Sequence, residues 1–152
     1  MLKVIKSLSQ LHQEQLLTVY SGSIQSQKEE NAFLSYLRED FFPQKDACYC
    51  LWVEENGYKS ALRLEPYKDG LLLQALETEL SARRMGYGYM LIKTVLAYLA
   101  TSEYKCLYSH VDKRNIPSLN LHKKCGFQTI ADTAVLLDGT VTVNSYTLCY
   151  YL

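Results

Sequence analysis

The sequence predicts an α+β fold, a mostly antiparallel twisted sheet of six to seven strands in which the fourth and fifth run parallel and can splay apart. Three observations carry this. Asn56-Gly57 and Asp69-Gly70 are tight-turn pairs between runs of strand formers, so Cys48 to Val53, Tyr58 to Leu64 and Leu71 to about Leu80 form an antiparallel meander. The last of these strands leads through a glycine loop into a helix and then into the strand Tyr104 to Val111, and such a crossover makes the two strands parallel neighbours. Asp138-Gly139 then joins Phe127 to Leu137 with Val141 to Leu152 as a closing hairpin.

The remaining elements follow in chain order. Residues 2 to 7 alternate weakly and suggest a first or edge strand. Ser9 is placed to cap a helix continuing through Leu11, Leu16, Leu17 and Tyr20, and Ser21-Gly-Ser-Ile-Gln-Ser breaks it. A second helix, near Lys28 to Asp40, puts Phe33, Leu34, Leu37 and Phe41 on one stripe before Pro43 stops it. Beyond the glycine loop, Leu91, Ile92, Val95, Leu96 and Leu99 recur at helical spacing and face the sheet. A short helix starts near Pro117, a favoured first-turn position, and ends at Gly126, a favoured C-terminal cap. No repeat, linker or low-complexity segment interrupts the pattern, so residues 1–152 read as a single domain.

Composition narrows the partners. Sixteen Lys and Arg balance sixteen Asp and Glu, which leaves no global field to recruit nucleic acid or an anionic membrane. The first ten residues lack a signal-peptide core with a cleavage site, and no apolar run approaches the ~18 residues of a membrane span, so a cytoplasmic location is expected. Five cysteines at irregular spacings, in a chain large enough to bury a core unaided, point to reduced thiols. Cys48 and Cys50 share a face of one strand; without a second pair they read as buried thiols rather than a zinc half-site. Cys125 falls at an apolar position and reads as core, and no bound metal is expected.

The chemistry is concentrated between Leu71 and Leu99. A strand, a glycine loop and a helix start place free backbone N–H groups around one spot, and the helix dipole adds about half a positive charge there. A phosphorylated ligand suits such a site. The dinucleotide fingerprint would need glycine where Leu91 stands, and no Gly-Lys-Ser/Thr of a P-loop is present. Arg83, Gly86 and Gly88 instead match Arg/Gln-x-x-Gly-x-Gly/Ala. Further on, Asn115, Ser118, Leu121, His122, Lys124, Gly126 and Phe127 match Asn-x-x-(Ala/Ser)-x-x-Leu-(Tyr/His)-x-Lys-x-Gly-Phe. With both motifs in this order the chain resembles the GNAT superfamily of acetyl-CoA-dependent N-acetyltransferases, and the resemblance extends over the whole chain.

The resemblance implies a GNAT fold with helices on both faces of the sheet, and transfer of an acetyl group from acetyl-CoA to a primary amine, of a small molecule or a peptide, by direct attack in a ternary complex. Acetyl-CoA is then a co-substrate. Backbone N–H groups from Arg84 through Met85, Gly86, Tyr87 and Gly88 to Tyr89 would cradle its pyrophosphate, with Arg83 and Arg84 adding charge nearby. Thr78 and Leu80 would bond the pantetheine arm through their backbone; Leu80 stands where relatives often carry proline. Asn115 would hydrogen-bond the pantetheine or order the loop, or else cap the following helix. The first two helices would flank the acceptor.

Proton transfer has several candidates. His122 stands where many GNAT members have a tyrosine that protonates the departing thiolate, and two roles remain open for it, proton donor or packing residue. An alkylamine with a pKa near ~10 must lose a proton before it attacks, and His110, near the end of its strand, is one candidate base. Glu77 is the other, because some members use a glutamate on the central strand; by period-two alternation Glu79 would share its face. Two other readings stand beside transfer. One is a non-catalytic module of the same fold that senses acyl-CoA; the other is a thiol or metal protein built on Cys48 and Cys50. The apolar last strand, Tyr146 to Leu152, could also pair with a second copy in a homodimer.

Overall fold

The computed structural model describes residues 1–152. Seven strands form one mixed sheet: β1 (Leu2–Ile5), β2 (Cys48–Glu54), β3 (Gly57–Tyr67), β4 (Gly70–Thr78), β5 (Cys106–Asp112), β6 (Gln128–Ala131) and β9 (Ser145–Tyr151). Their order is β1-β2-β3-β4-β5-β9-β6, and every neighbouring pair is antiparallel except β4 and β5. The α+β fold with its parallel fourth and fifth strands is therefore as the sequence predicts.

Helices cover both faces. On one, α3 (Tyr87–Leu99) lays its buried stripe, Leu91, Ile92, Val95, Leu96 and Leu99, against Cys48, Cys50, Leu62, Leu64, Leu71, Leu73 and Leu107. α4 (Ile116–Lys124) extends this core through Leu119 and leads into Phe127. On the other face α1 (Gln13–Val19) and α2 (Gln27–Tyr36) close a second core around Tyr49, Leu51, Phe41 and Leu16. The far half of that face carries no helix. Tyr67, Leu72, Cys106, Tyr108 and Cys149 cluster there, beneath the short ribbon β7 (Ala134–Val135) and β8 (Val141–Thr142), which is tied down by the Tyr67 hydroxyl donating to the Val135 carbonyl at 2.6 Å.

The opening between β4 and β5 has two local causes. Pairing begins where Gly70 lets the strands approach; a Cβ there would lie 2.0 Å from the Cys106 carbonyl oxygen. It ends after three residues, Leu71, Leu72 and Leu73 against Leu107, Tyr108 and Ser109. Directly beyond, the β3–β4 register shifts between Ala61 and Arg63, and Ala75 adopts φ +53°, a left-handed conformation that bends β4 away. Tyr20 holds this bulge by donating to the Ala75 carbonyl at 2.6 Å. From Gln74 on, the β5-facing edge of β4 is unpaired.

Several expected boundaries move. Ser9 does not cap the first helix: Leu8–Gln10 is a single 3₁₀ turn, and α1 starts after His12, whose Nδ1 accepts the Gln15 N–H at 3.4 Å. α2 begins as expected but ends at Tyr36, and a π-helical turn, Leu37–Phe41, swings Phe41 into the core. β4 stops at Thr78, so Leu80 lies in a 3₁₀ turn, Leu80–Ala82, and Glu79 is outside the strand and shares no strand face with Glu77. The closing hairpin is not continuous, because the β7–β8 ribbon interrupts it.

Candidate active site

Two cavities flank the opening. The larger, about 530 Å³, lies between the N-terminus of α3 and the body of α4 and reaches the end of β4. The smaller, about 200 Å³, fills the splay between β4 and β5 and is lined by Gln74, Ala75, Ser109 and His110 among others. They meet at Leu76, Asn115 and Ser118, which line both.

The larger cavity has the features of an anion site. Gly86 takes φ +86° at the N-cap of α3, no side chain caps the helix, and the first intrahelical bond is the Met90 N–H to the Gly86 carbonyl at 3.0 Å. The N–H groups of Tyr87, Gly88 and Tyr89 therefore have no intrahelical acceptor and face the groove at the positive end of the dipole. Arg84, itself at φ +64°, brings an exposed guanidinium. Lys124 from α4 lies 4.5 Å over the Tyr89 ring and lines the same groove.

The sequence-predicted residues divide clearly. Thr78, Arg83, Arg84, Gly86, Tyr87, Gly88, Tyr89 and Asn115 line the larger cavity. Leu80 and Met85 do not; both side chains are more than half exposed, and Leu80 packs toward Gly22 in the turn between α1 and α2. Asn115 caps α4, its Oδ1 accepting the Ser118 N–H at 3.2 Å. Arg83 is already engaged, with Nη2 3.0 Å from Glu77 Oε2 and Nε donating to the Thr78 carbonyl at 3.2 Å. Glu77 is therefore ion-paired, and Glu79 is held separately by Lys59 at 3.0 Å. The Lys59 hydrogen bond and the Ser81 hydroxyl hold the Glu79 carboxyl below the usual carboxylate range.

The two histidines of the splay face opposite ways, as neighbours on a strand and its covering helix allow. His122 is 1% exposed beneath Phe127. Its Nδ1 lies 2.7 Å from the Ser118 carbonyl, which can only accept, so Nδ1 carries the proton and Nε2 accepts from the Ser109 hydroxyl at 2.9 Å. Burial lowers its pKa despite that carbonyl, and the ring is neutral near pH 7. His110 points to the other face, edge-on to Tyr67 at 5.3 Å, and its buried Nε2 has no hydrogen-bond partner. Burial first, and the Lys68 charge second, lower its pKa, so it too is neutral at pH 7 and able to accept a proton.

Ser109 and the Tyr20–Ala75 bond were not among the residues singled out from sequence, whereas Lys124 was one of the matched positions of the second motif. Ser109 was findable only as the position on β5 alternating with His110; Lys124 was visible as part of a helical lysine pair. No group of three or more His, Cys, Asp or Glu side chains converges as a metal site, and all five cysteines are buried and unbridged. No helix is long and apolar enough to cross a membrane.

Comparisons with known proteins agree with this geometry. The acetyltransferase (GNAT) family model matches residues 8–127. A search of curated protein sequences finds no match. Among solved structures, the ribosomal-protein-S18-alanine N-acetyltransferase of Escherichia coli superposes with a TM-score of 0.70 at 14% identity, covering 99% of this chain and 94% of that one. An acetyltransferase of Bacillus subtilis in complex with CoA gives 0.69 at 12% identity, over 99% and 97%. The PaiA N-acetyltransferase of Thermoplasma acidophilum in complex with coenzyme A gives 0.66 at 11% identity, over 100% and 99%. With the family match spanning most of the chain and the fold shared end to end, this protein belongs to the GNAT acetyltransferase family.

Proposed function

We propose that the protein transfers an acetyl group from acetyl-CoA to a primary amine by direct attack in a ternary complex. The observation that carries this reading is the pair of cavities meeting at Leu76, Asn115 and Ser118, one suited to an anionic donor and one holding an unpartnered imidazole. The donor's pyrophosphate sits at the free N–H groups of Tyr87, Gly88 and Tyr89, with Arg84 and Lys124 as its cations. Its pantetheine amides pair with the open edge of β4 beyond Leu73, as an added strand would. The thioester then reaches the splay, where the acceptor amine meets it.

Between the two candidate bases the geometry favours His110. Glu77 is occupied by Arg83, whereas His110 Nε2 is neutral, unpartnered and inside the splay. His110 takes the ammonium proton directly or through one water and passes it to solvent; the amine's lone pair attacks the thioester carbon; the tetrahedral intermediate gives up the second nitrogen proton by the same route and expels the thiolate of coenzyme A. His122 has no proton on Nε2 to give, because its single proton is committed to the Ser118 carbonyl. It acts as a positioning residue, fixing Ser109 and the start of α4 against β5. The thiolate, with a pKa near ~8.5, leaves without an obligatory donor and takes its proton from solvent.

A thermal-shift titration with acetyl-CoA, coenzyme A and ATP, followed by thiol-release assays over a panel of amines, tests the proposal. Donor at ~100 times its dissociation constant should add about 2.7 kcal/mol of stability. Saturable shifts with both coenzyme A species, larger than with ATP, together with amine-dependent thiol release, are expected. Shifts without release from any amine would favour the acyl-CoA sensor, and no shift in folded, cofactor-free protein would overturn donor binding itself.

A further inference from the structure

The acceptor side carries a cation that makes no ion pair within the protein. Arg63 rises from β3 on the face away from α3, and its guanidinium carbon lies 5.1 Å over the Tyr36 ring and 5.6 Å over Phe41. Its Nε is buried without a hydrogen-bond partner, and no carboxylate lies within 4.0 Å of it, all four ion pairs of the protein being made elsewhere. Arg63 is half-buried, and a guanidinium stacked on two rings without an ion-pair partner is suited to receive an anion. Glu65, two residues along the same face, does not serve: its Oε2 takes the Gln44 amide at 2.9 Å and its Oε1 is itself unpartnered.

Register places this cation beside the reaction. Arg63 pairs with Gln74, and Gln74 lines the splay with His110. Leu73 pairs with Ser109, so Gln74 and His110 stand one step further along their strands, and His110 pairs in turn with Thr147. Tyr49, Arg63, Gln74, His110 and Thr147 thus form one polar row crossing the sheet at the opening. Arg63 and His110 thus stand on the two strands that flank β4, with Gln74 between them in the lining of the splay. Two of the buried unpartnered polar atoms of the protein, Arg63 Nε and His110 Nε2, belong to this row.

We infer that the acceptor is an amine bearing a carboxylate, its carboxylate bound by Arg63 against Tyr36 and its amine presented to His110. Tyr36 stands at the C-terminal end of α2, so that helix supplies one wall of the subsite. This rests on the transfer reaction proposed above and adds the class of acceptor. A planar guanidinium matches a carboxylate bidentately, and a charge-assisted pair of this kind discriminates by about 10- to 100-fold against a substrate that lacks the anion.

The test compares matched amines that differ by the carboxylate alone, 4-aminobutyrate against n-propylamine and glutamate against 4-aminobutyrate, in the wild type, Arg63→Gln and Arg63→Lys. Expected is a wild-type kcat/KM at least about tenfold higher for the better carboxylated member of a pair. In Arg63→Gln that preference should collapse toward unity through KM, with Arg63→Lys intermediate. The acetyl-CoA-induced thermal shift of each variant shows whether it folds and holds the donor. Should a variant misfold, saturable protection of the wild-type ternary site by the carboxylate analogue butyrate, in the presence of coenzyme A, decides instead. Transfer to amines with no preference for a carboxylate, or a preference that survives Arg63→Gln, would overturn the inference while leaving the transfer reaction standing. Absence of transfer to every amine would instead overturn the reaction.

Discussion

Replacing His122 by alanine separates the two roles open to it. The side chain is 1% exposed and makes two short hydrogen bonds, donating to the Ser118 carbonyl at 2.7 Å and accepting from Ser109 at 2.9 Å, with the Ser118 hydroxyl also 3.3 Å from Nδ1 and Phe127 packed edge-on at 5.0 Å. Each bond is worth about 0.5–1.5 kcal/mol net, and the Ser109 hydroxyl, 2% exposed, would be left unpaired at a cost of about 1–3 kcal/mol. Allowing for water entering the vacated space, the sum is about 2–5 kcal/mol. At about 2–4 °C per kcal/mol for a domain of this size, the midpoint should fall by roughly 4–20 °C. Thermal unfolding with and without coenzyme A reads this, and a pH profile of kcat on the same protein reads the chemistry. A positioning residue predicts the large loss of stability with the alkaline limb of kcat unmoved. If the midpoint falls by no more than about 2 °C while kcat drops a hundredfold and the alkaline limb disappears, His122 is the thiol's proton donor and the reasoning from its tautomer fails.

His110→Ala should lower kcat/KM by about 10²–10⁴, the usual worth of a general base, with little change in the coenzyme A shift. Because burial and Lys68 lower the His110 pKa, the wild-type acid limb should lie below 6.5; the base form is depleted as pH falls through it, and the limb should vanish in the variant. A limb that persists would assign the proton to another group, with Glu77→Gln the next test. At Gly86 a Cβ would meet nothing within 4 Å, yet φ is +86°, so Gly86→Ala should cost about 1–2 kcal/mol by conformation alone, and Gly86→Asn less. Urea midpoints check the order. Equal losses for the two would show that the loop has another conformation.

What the sequence made legible, and what it did not, follows from how far apart the cooperating residues are. Turns and helix starts are local, so Asn56-Gly57, Asp69-Gly70 and the glycine loop announced the meander and the anion site directly. The first helix was harder: Ser9 is a good cap by type, but Leu11 is buried, and the chain turns once around it before His12 starts α1. The end of β4 was also misjudged by two residues, because Glu79 and Leu80 look no different in sequence from the strand before them. Tertiary partners decide there, Lys59 holding Glu79 and Arg83 holding the Thr78 carbonyl. The bulge gave no signal at all. Alanine seldom marks a left-handed residue, and Ala75 adopts one because Tyr20, far upstream, fixes its carbonyl. The tautomer of His122 and the isolation of Arg63 are likewise properties of side chains brought together by folding.

The bulge links the two halves of the site. Were β4 regular, its edge would continue to pair with β5 beyond Leu73, and the splay that holds His110 would close. The same bend turns backbone donors and acceptors of residues 74–78 toward a partner that the protein does not supply. Buried backbone groups left unpaired are expensive, so an open edge in the middle of a sheet is tenable only next to water or a ligand that completes the ladder. A pantetheine arm, with amide groups spaced along a flexible chain, is such a ligand. In the proposed reaction the register break would do two things at once, exposing an edge for the donor and making room for the acceptor on the far side of it. That the bond fixing the break comes from Tyr20 at the C-terminal end of α1 gives this helix a direct hold on the strand whose open edge the proposed donor would complete.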